Sequence, residues 1–159
     1  MPLGRLPLIE VKKHIKEKFA LGGMSVKPGV LDLIAERGSG HPYYTQLLCH
    51  ILWDECMEKK EISEKDVNNA LDKMLKREAD VYETILDDLT RKQKHLLAAL
   101  SLEPGTKVFS AQFLSKHRLG TPSSIQKGLK ILIEKDILDR ENDHFIFQDP
   151  FFALWLQKR

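Results

Sequence analysis

The sequence reads as a mainly α chain in two parts: a four-helix bundle over residues 1–88, then a smaller α+β unit over residues 89–159 that carries a β-hairpin. Three observations predict this. Apolar residues recur at helical spacing from Leu8 to Leu89, punctuated by Gly22-Gly23 and by Gly38-Ser39-Gly40. The composition resets at Thr90, a residue suited to cap a new helix. From Pro122 a capped amphipathic stretch runs to Leu138 and straight into two short apolar runs joined by Glu141-Asn142-Asp143, a hairpin signal.

In the first part, Leu8 to Leu21 is helical, with Ile9, Val11, Ile15, Phe19 and Ala20 largely on one face, and Gly22-Gly23 stops it. Ser25 with Pro28 opens a second helix through Arg37, with Val30, Leu31, Leu33 and Ile34 apolar. A third begins at His41-Pro42, where proline costs nothing because a first-turn N–H has no intrahelical partner, and runs to about Lys59. Ser63 to Asp66 opens a fourth with an acidic first turn, and Val67, Ala70, Leu71, Met74 and Leu75 are its core face.

In the second part, Thr90 caps a helix from Arg91 to Leu102 and Glu103 to Thr106 turns. Val108-Phe109 is expected as a minimal strand, and Ser110 caps a short helix to His117. The next helix buries Ile125, Leu129, Leu132 and Ile133. Leu138 to Arg140 and Phe145 to Phe147 are the hairpin strands, and Asp149-Pro150 caps a last helix from Phe151 to Leu156. Three helices followed by a β-hairpin make a winged helix.

The totals exclude several classes. With 42% hydrophobic and 30% charged residues in 159, disorder is not the default, and the length suits one ordinary domain or two small ones. A net charge of +2 is too small to argue for nucleic acid by itself, so any such partner must be met by local patches. Cys49 and Cys56 lie on one helical segment, about 10 Å apart at 1.5 Å per residue, too far for a disulfide; they read as reduced core thiols. No apolar run approaches the length of a membrane span and no leader is evident, so the expected location is cytoplasmic, with no membrane partner.

Catalytic and metal signatures are missing from the sequence. There is no Gly-x-x-x-x-Gly-Lys-Ser/Thr phosphate loop, no Gly-x-Ser-x-Gly, no His-Glu-x-x-His and no Cys-x-x-Cys. Glu10 and His14 read as a surface pair, and Cys49, His50 and Cys56 as core thiols beside an outward histidine rather than a metal set. No catalytic residue and no cofactor is expected within this chain. The stretch Gly40-His41-Pro42-Tyr43-Tyr44 has two readings. It is a helix start with tyrosines packed beneath it, or a nucleotide contact in which Pro42 and Tyr43 offer a flat apolar surface at the positive end of a helix.

The run from Pro2 to Leu8, two helices, Gly40 to Leu48, and Ile62 to Val67 opening a long helix together resemble the lid of AAA+ ATPases, most nearly prokaryotic ATPases of the STAND type, widespread in archaea. Leu89 to Leu100, Ser123 to Leu129 and Phe147 to Leu156 are similar to the winged helix that follows that lid. The resemblance implies that Gly40, His41, Pro42 and Tyr43 contact nucleotide, and that ATP with Mg is held by a separate N-terminal phosphate-loop ATPase core acting as partner. Tyr43 and Tyr44 stand where many AAA+ lids carry a sensor arginine, an arginine that STAND-type proteins commonly lack.

With the apolar stripe of the 122–134 helix buried, Ser123, Ser124, Gln126, Lys127 and Lys130 face outward, and Arg140 and His144 sit on the wing. Hydroxyl, amide and ammonium groups suit base edges and phosphates, so these residues form the expected double-stranded DNA contact. A protein partner is the competing expectation for this face. A second, independent reading of the whole is a stand-alone winged-helix transcription regulator whose N-terminal bundle dimerises or senses a ligand.

Overall fold

The computed structural model describes residues 7–39, 41–104 and 107–159. It divides into two compact units, Met1–Arg77 and Glu78–Arg159. The division falls inside a helix, whereas composition alone suggests residue 88; Tyr82 and Leu86, near that helix's end, are buried in the second unit.

The first unit comprises α1 (Leu8–Leu21), β1 (Ser25–Val26), α2 (Pro28–Gly38), α3 (Pro42–Cys56), β2 (Glu61–Ile62) and the first turns of α4 (Glu64–Asp87). Val11, Ile15 and Phe19 repeat at i, i+4 and i+8 along α1, so one stripe is buried. The helix stops where Gly23 takes a left-handed φ of 73°. Met24 N–H then donates back to the Phe19 carbonyl, and the two buried side chains close the stop. Ile34, Ala35, Leu48 and Leu52 are fully enclosed where α2 meets α3.

The ends of these helices meet at glycines. A Cβ added at Gly38 would lie 2.1 Å from the Thr45 hydroxyl oxygen, and one at Gly22 would lie 2.0 Å from the Trp53 ring. Neither position has room for a side chain.

Ser25 does not start a helix, as its spacing ahead of Pro28 suggests. It belongs to β1, which pairs in parallel with β2 through Ser25 opposite Glu61 and Val26 opposite Ile62. This ribbon ties the start of α2 to the start of α4 and buries Ile62 completely. The third helix also ends earlier than expected, at Cys56, because Lys60 turns left-handed and its N–H caps the Cys56 carbonyl.

α4 opens with a reciprocal cap. Ser63 N–H donates to the Asp66 carboxylate (2.8 Å) and Asp66 N–H donates to the Ser63 hydroxyl (3.2 Å). Burial alone would raise the Asp66 pKa, but the hydrogen bonds from Lys59 and Ser63 outweigh it and hold the group at about 2.

The second unit adds α5 (Arg91–Leu102), α6 (Ala111–Lys116), α7 (Pro122–Glu134), β3 (Leu138–Glu141), β4 (His144–Phe147) and α8 (Pro150–Lys158) to the end of α4. Thr90 and Gln93 form a full capping box on α5, and Ser110 caps α6 through Phe113 N–H. Of the turn expected between these helices, Gly105 and Thr106 lie outside the described residues. β3 and β4 pair antiparallel, Leu138 with Phe147 through Glu141 with His144, around the tip Asn142-Asp143. Asn142 takes the left-handed φ of 56° that the tip requires. Val108-Phe109 is a turn rather than a strand: Ser110 N–H closes onto the Lys107 carbonyl, and no strand lies beside it among the described residues.

The Gln148-Asp149-Pro150-Phe151-Phe152 run locks the end of this unit. Asp149 accepts from Phe151 and Phe152 N–H and from the Tyr82 hydroxyl (2.8 Å), and Tyr82 stacks on Phe152 at 4.9 Å. Burial pushes the Asp149 pKa up despite these donors. No helix among the described residues is long and apolar enough to cross a membrane.

Gly38→Ala should destabilise the chain by about 1–3 kcal/mol through overpacking against Thr45. Gly29→Ala, in the first turn of α2 with open space around it, should be neutral or raise the melting temperature. Equal melting points for the two variants would contradict this packing. Asp66→Asn addresses the cap by its pH dependence. A carboxyl held at about 2 stabilises the fold above its ordinary value of 3.8, and loses that contribution as pH falls through about 2. The variant should therefore be less stable at neutral pH, and the gap to wild type should close between those two values.

Candidate nucleic-acid interface

The second unit is built around α7. Ile125, Leu129 and Leu132 are its buried stripe, and Ile133 is half-buried at the margin. Gly128 faces α5, where an added Cβ would lie 3.4 Å from Leu96. Thr121 caps the helix through Ser124 N–H (3.3 Å). At the far end Asp136 turns left-handed (φ 59°) and Ile137 N–H donates to the Leu132 carbonyl, which sends the chain directly into β3.

Two open grooves flank α7. One, of about 790 Å³, lies between α7 and the wing. Ser123, Gln126, Lys127, Lys130 and Arg140 line it, beside Phe109 and a single carboxylate, Glu134. The other, of about 930 Å³, lies between α7 and the start of α5. Arg91, Lys92, His95, Arg118 and Lys127 line it, and no carboxylate does. Ser123 and Lys127 border both, so the two grooves meet along one edge of the helix.

Most expected contact residues thus converge, with two differences. The Ser124 hydroxyl lies on the α5 side and donates to the Thr121 carbonyl at 2.8 Å, so it serves the turn that starts α7. His144 lines neither groove; it is half-buried opposite Glu141 in the hairpin, and its Nδ1 has no hydrogen-bond partner. Arg140 is held in place by a hydrogen bond from Nε to the Asn142 carbonyl (3.3 Å), with its guanidinium 5.7 Å above the Phe145 ring.

The distribution of ion pairs sharpens the site. Lys116 and His117 both engage Glu103, whose pKa is held low by Lys116 first and His117 second. Lys135 pairs with Asp88, and Arg159 with Glu83. Arg91, Lys92, Arg118, Lys127 and Lys130 pair with no described carboxylate. Arg91 and Lys92 were not expected at the site. They lie in a basic run on a different helix, and only the packing of α5 against α7 brings them to the groove.

In the first unit, Gly40 lies outside the described residues. His41 precedes α3 and Pro42 is its first residue. Tyr43 is 68% exposed, its ring edge-on to Tyr44 at 5.1 Å, and His41 meets Tyr44 edge-on at 5.7 Å. Cys49 and Cys56 are buried free thiols, and burial pushes Cys49 up to about 12. Among the described residues no three His, Cys, Asp or Glu side chains cluster to hold a metal ion.

A capped three-helix core followed by a two-stranded wing defines the second unit as a winged-helix domain. Residues 80–158 match the family described as "Probable winged helix domain", a span that begins in the last turns of α4 and takes in α8. No curated protein matches the chain.

Proposed function

We propose that the winged-helix domain binds double-stranded DNA, with α7 in the major groove and the wing and the start of α5 on the flanking phosphates, and that the chain serves as a DNA-binding regulator. The observation that carries this reading is the band of unpaired cations on both sides of α7, with one carboxylate among the residues that line it. A face built to pack against protein would more often neutralise or exclude such charges, because unpaired ammonium and guanidinium groups are costly to desolvate. The chain as a whole is almost neutral, so attraction to DNA must come from this local arrangement.

Binding of fluorescent duplex across a salt series tests the reading. Affinity should fall steeply with salt, and Lys127→Ala and Lys130→Ala should each flatten the log–log slope by about 1. Absence of binding at low salt would leave the domain a protein-packing module.

A second reading concerns the first unit. Its resemblance to the lid of STAND-type AAA+ ATPases makes it a candidate lid for ATP with Mg held on a separate phosphate-loop core. The exposed Tyr43 at the start of a 15-residue helix favours this, since an aromatic face beside a helix N-terminus suits an adenine nucleotide. ATP titrated into the labelled protein should shift the amides from Tyr43 to Gln46 weakly, and Tyr43→Ala should abolish those shifts. Unmoved amides at saturating ATP would count against it.

A further inference from the structure

We propose that Phe109 is a base-reading residue that contacts the 5-methyl group of thymine, so that the domain favours A·T-containing duplex. The inference rests on the DNA reading above and adds a specificity to it.

Phe109 is 42% exposed, although a ring of this size is ordinarily covered. An exposed phenylalanine is common enough by itself; its position is not. It lines the groove between α7 and the wing together with Ser123, Gln126, Lys127 and Lys130. The ring packs edge-on against Phe145 at 6.2 Å with an interplanar angle of 83°, a contact that favours its place at the groove. Val108 beside it is buried and anchors the turn that carries it.

The major groove presents donors, acceptors and one apolar group, the thymine methyl. A phenyl ring among polar readers has that methyl as its natural counterpart. The neighbouring groups agree. Gln126 can pair its amide with adenine N6 and N7, and the reading helix contains no arginine, the commonest reader of guanine. Arg140, the one arginine among the residues that line this groove, is engaged with Asn142 and Phe145. Lys127 and Lys130 are point charges suited to phosphate or to guanine, and do not oppose an A·T step.

The test uses the full chain and a duplex recovered by selection from a randomised library, alongside its copy with uracil in place of thymine. Uracil removes only the methyl group. Wild type should bind the uracil copy about fourfold more weakly, the effect of one buried methyl. Phe109→Ala should bind both copies equally, while Phe109→Leu, which keeps an apolar side chain on Phe145, should retain part of the preference. Thermal unfolding of each variant checks that the fold is intact, and the wild-type comparison stands even if Phe109→Ala fails to fold. Steeply salt-dependent binding with no distinction between thymine and uracil overturns the inference and leaves the DNA reading in place. A preference that survives in folded Phe109→Ala also overturns it. Failure of every duplex to bind removes both.

Discussion

The second unit takes its form from the one-sidedness of α7. Ile125, Leu129 and Leu132 form a single narrow stripe, and burying that stripe against the domain core leaves the helix one orientation. Gly128 faces Leu96 on α5, where an added Cβ would lie 3.4 Å away, and the caps at Thr121 and Asp136 fix where the helix starts and stops. Once the stripe is buried, Ser123, Gln126, Lys127 and Lys130 have nowhere to point but outward. The outward face is therefore a consequence of core packing, and the wing follows because the left-handed turn at Asp136 feeds the chain straight into β3.

Charge is organised by pairing more than by number. Lys116, Lys135 at the C-cap of α7, and Arg159 each have a carboxylate partner, while Arg91, Lys92, Arg118, Lys127 and Lys130 in the grooves have none among the described residues. A nearly neutral chain can hold a local positive field in this way. The pairs themselves are exposed and contribute little stability. They neutralise Lys116, Lys135 and Arg159, while the unpaired cations that line the two grooves stand beside a single carboxylate.

Much of this was legible in the sequence, and the parts that were not share a physical cause. Thr90, Ser110 and Asp149 announced their helices because a cap is a local hydrogen bond between residues two or three apart. The wing was readable because a hairpin joins neighbouring segments. The β1–β2 ribbon was not, since two-residue strands have no periodicity and their partners lie far apart in the chain. Val108-Phe109 looked like a strand because two apolar residues suit one, yet no described strand lies beside them and the chain turns instead. Arg91 and Lys92 reach the α5-side groove only through packing of α5 on α7, and Ser124 borders that same groove with its hydroxyl bonded to the turn that starts the helix. Asp149, expected from the sequence only as a cap, also accepts from the Tyr82 hydroxyl, and Tyr82 stacks on Phe152.

If both sides of α7 form one face for duplex DNA, backbone amides across that face should respond together when labelled protein is titrated with duplex at low salt. Shifts should concentrate at the start of α5, from Arg118 through Lys130, and along the wing near Arg140, all saturating at the same duplex concentration. Shifts confined to the Asp88–Lys135 pair at the C-terminal end of α7, outside both grooves, or none at all, would contradict it.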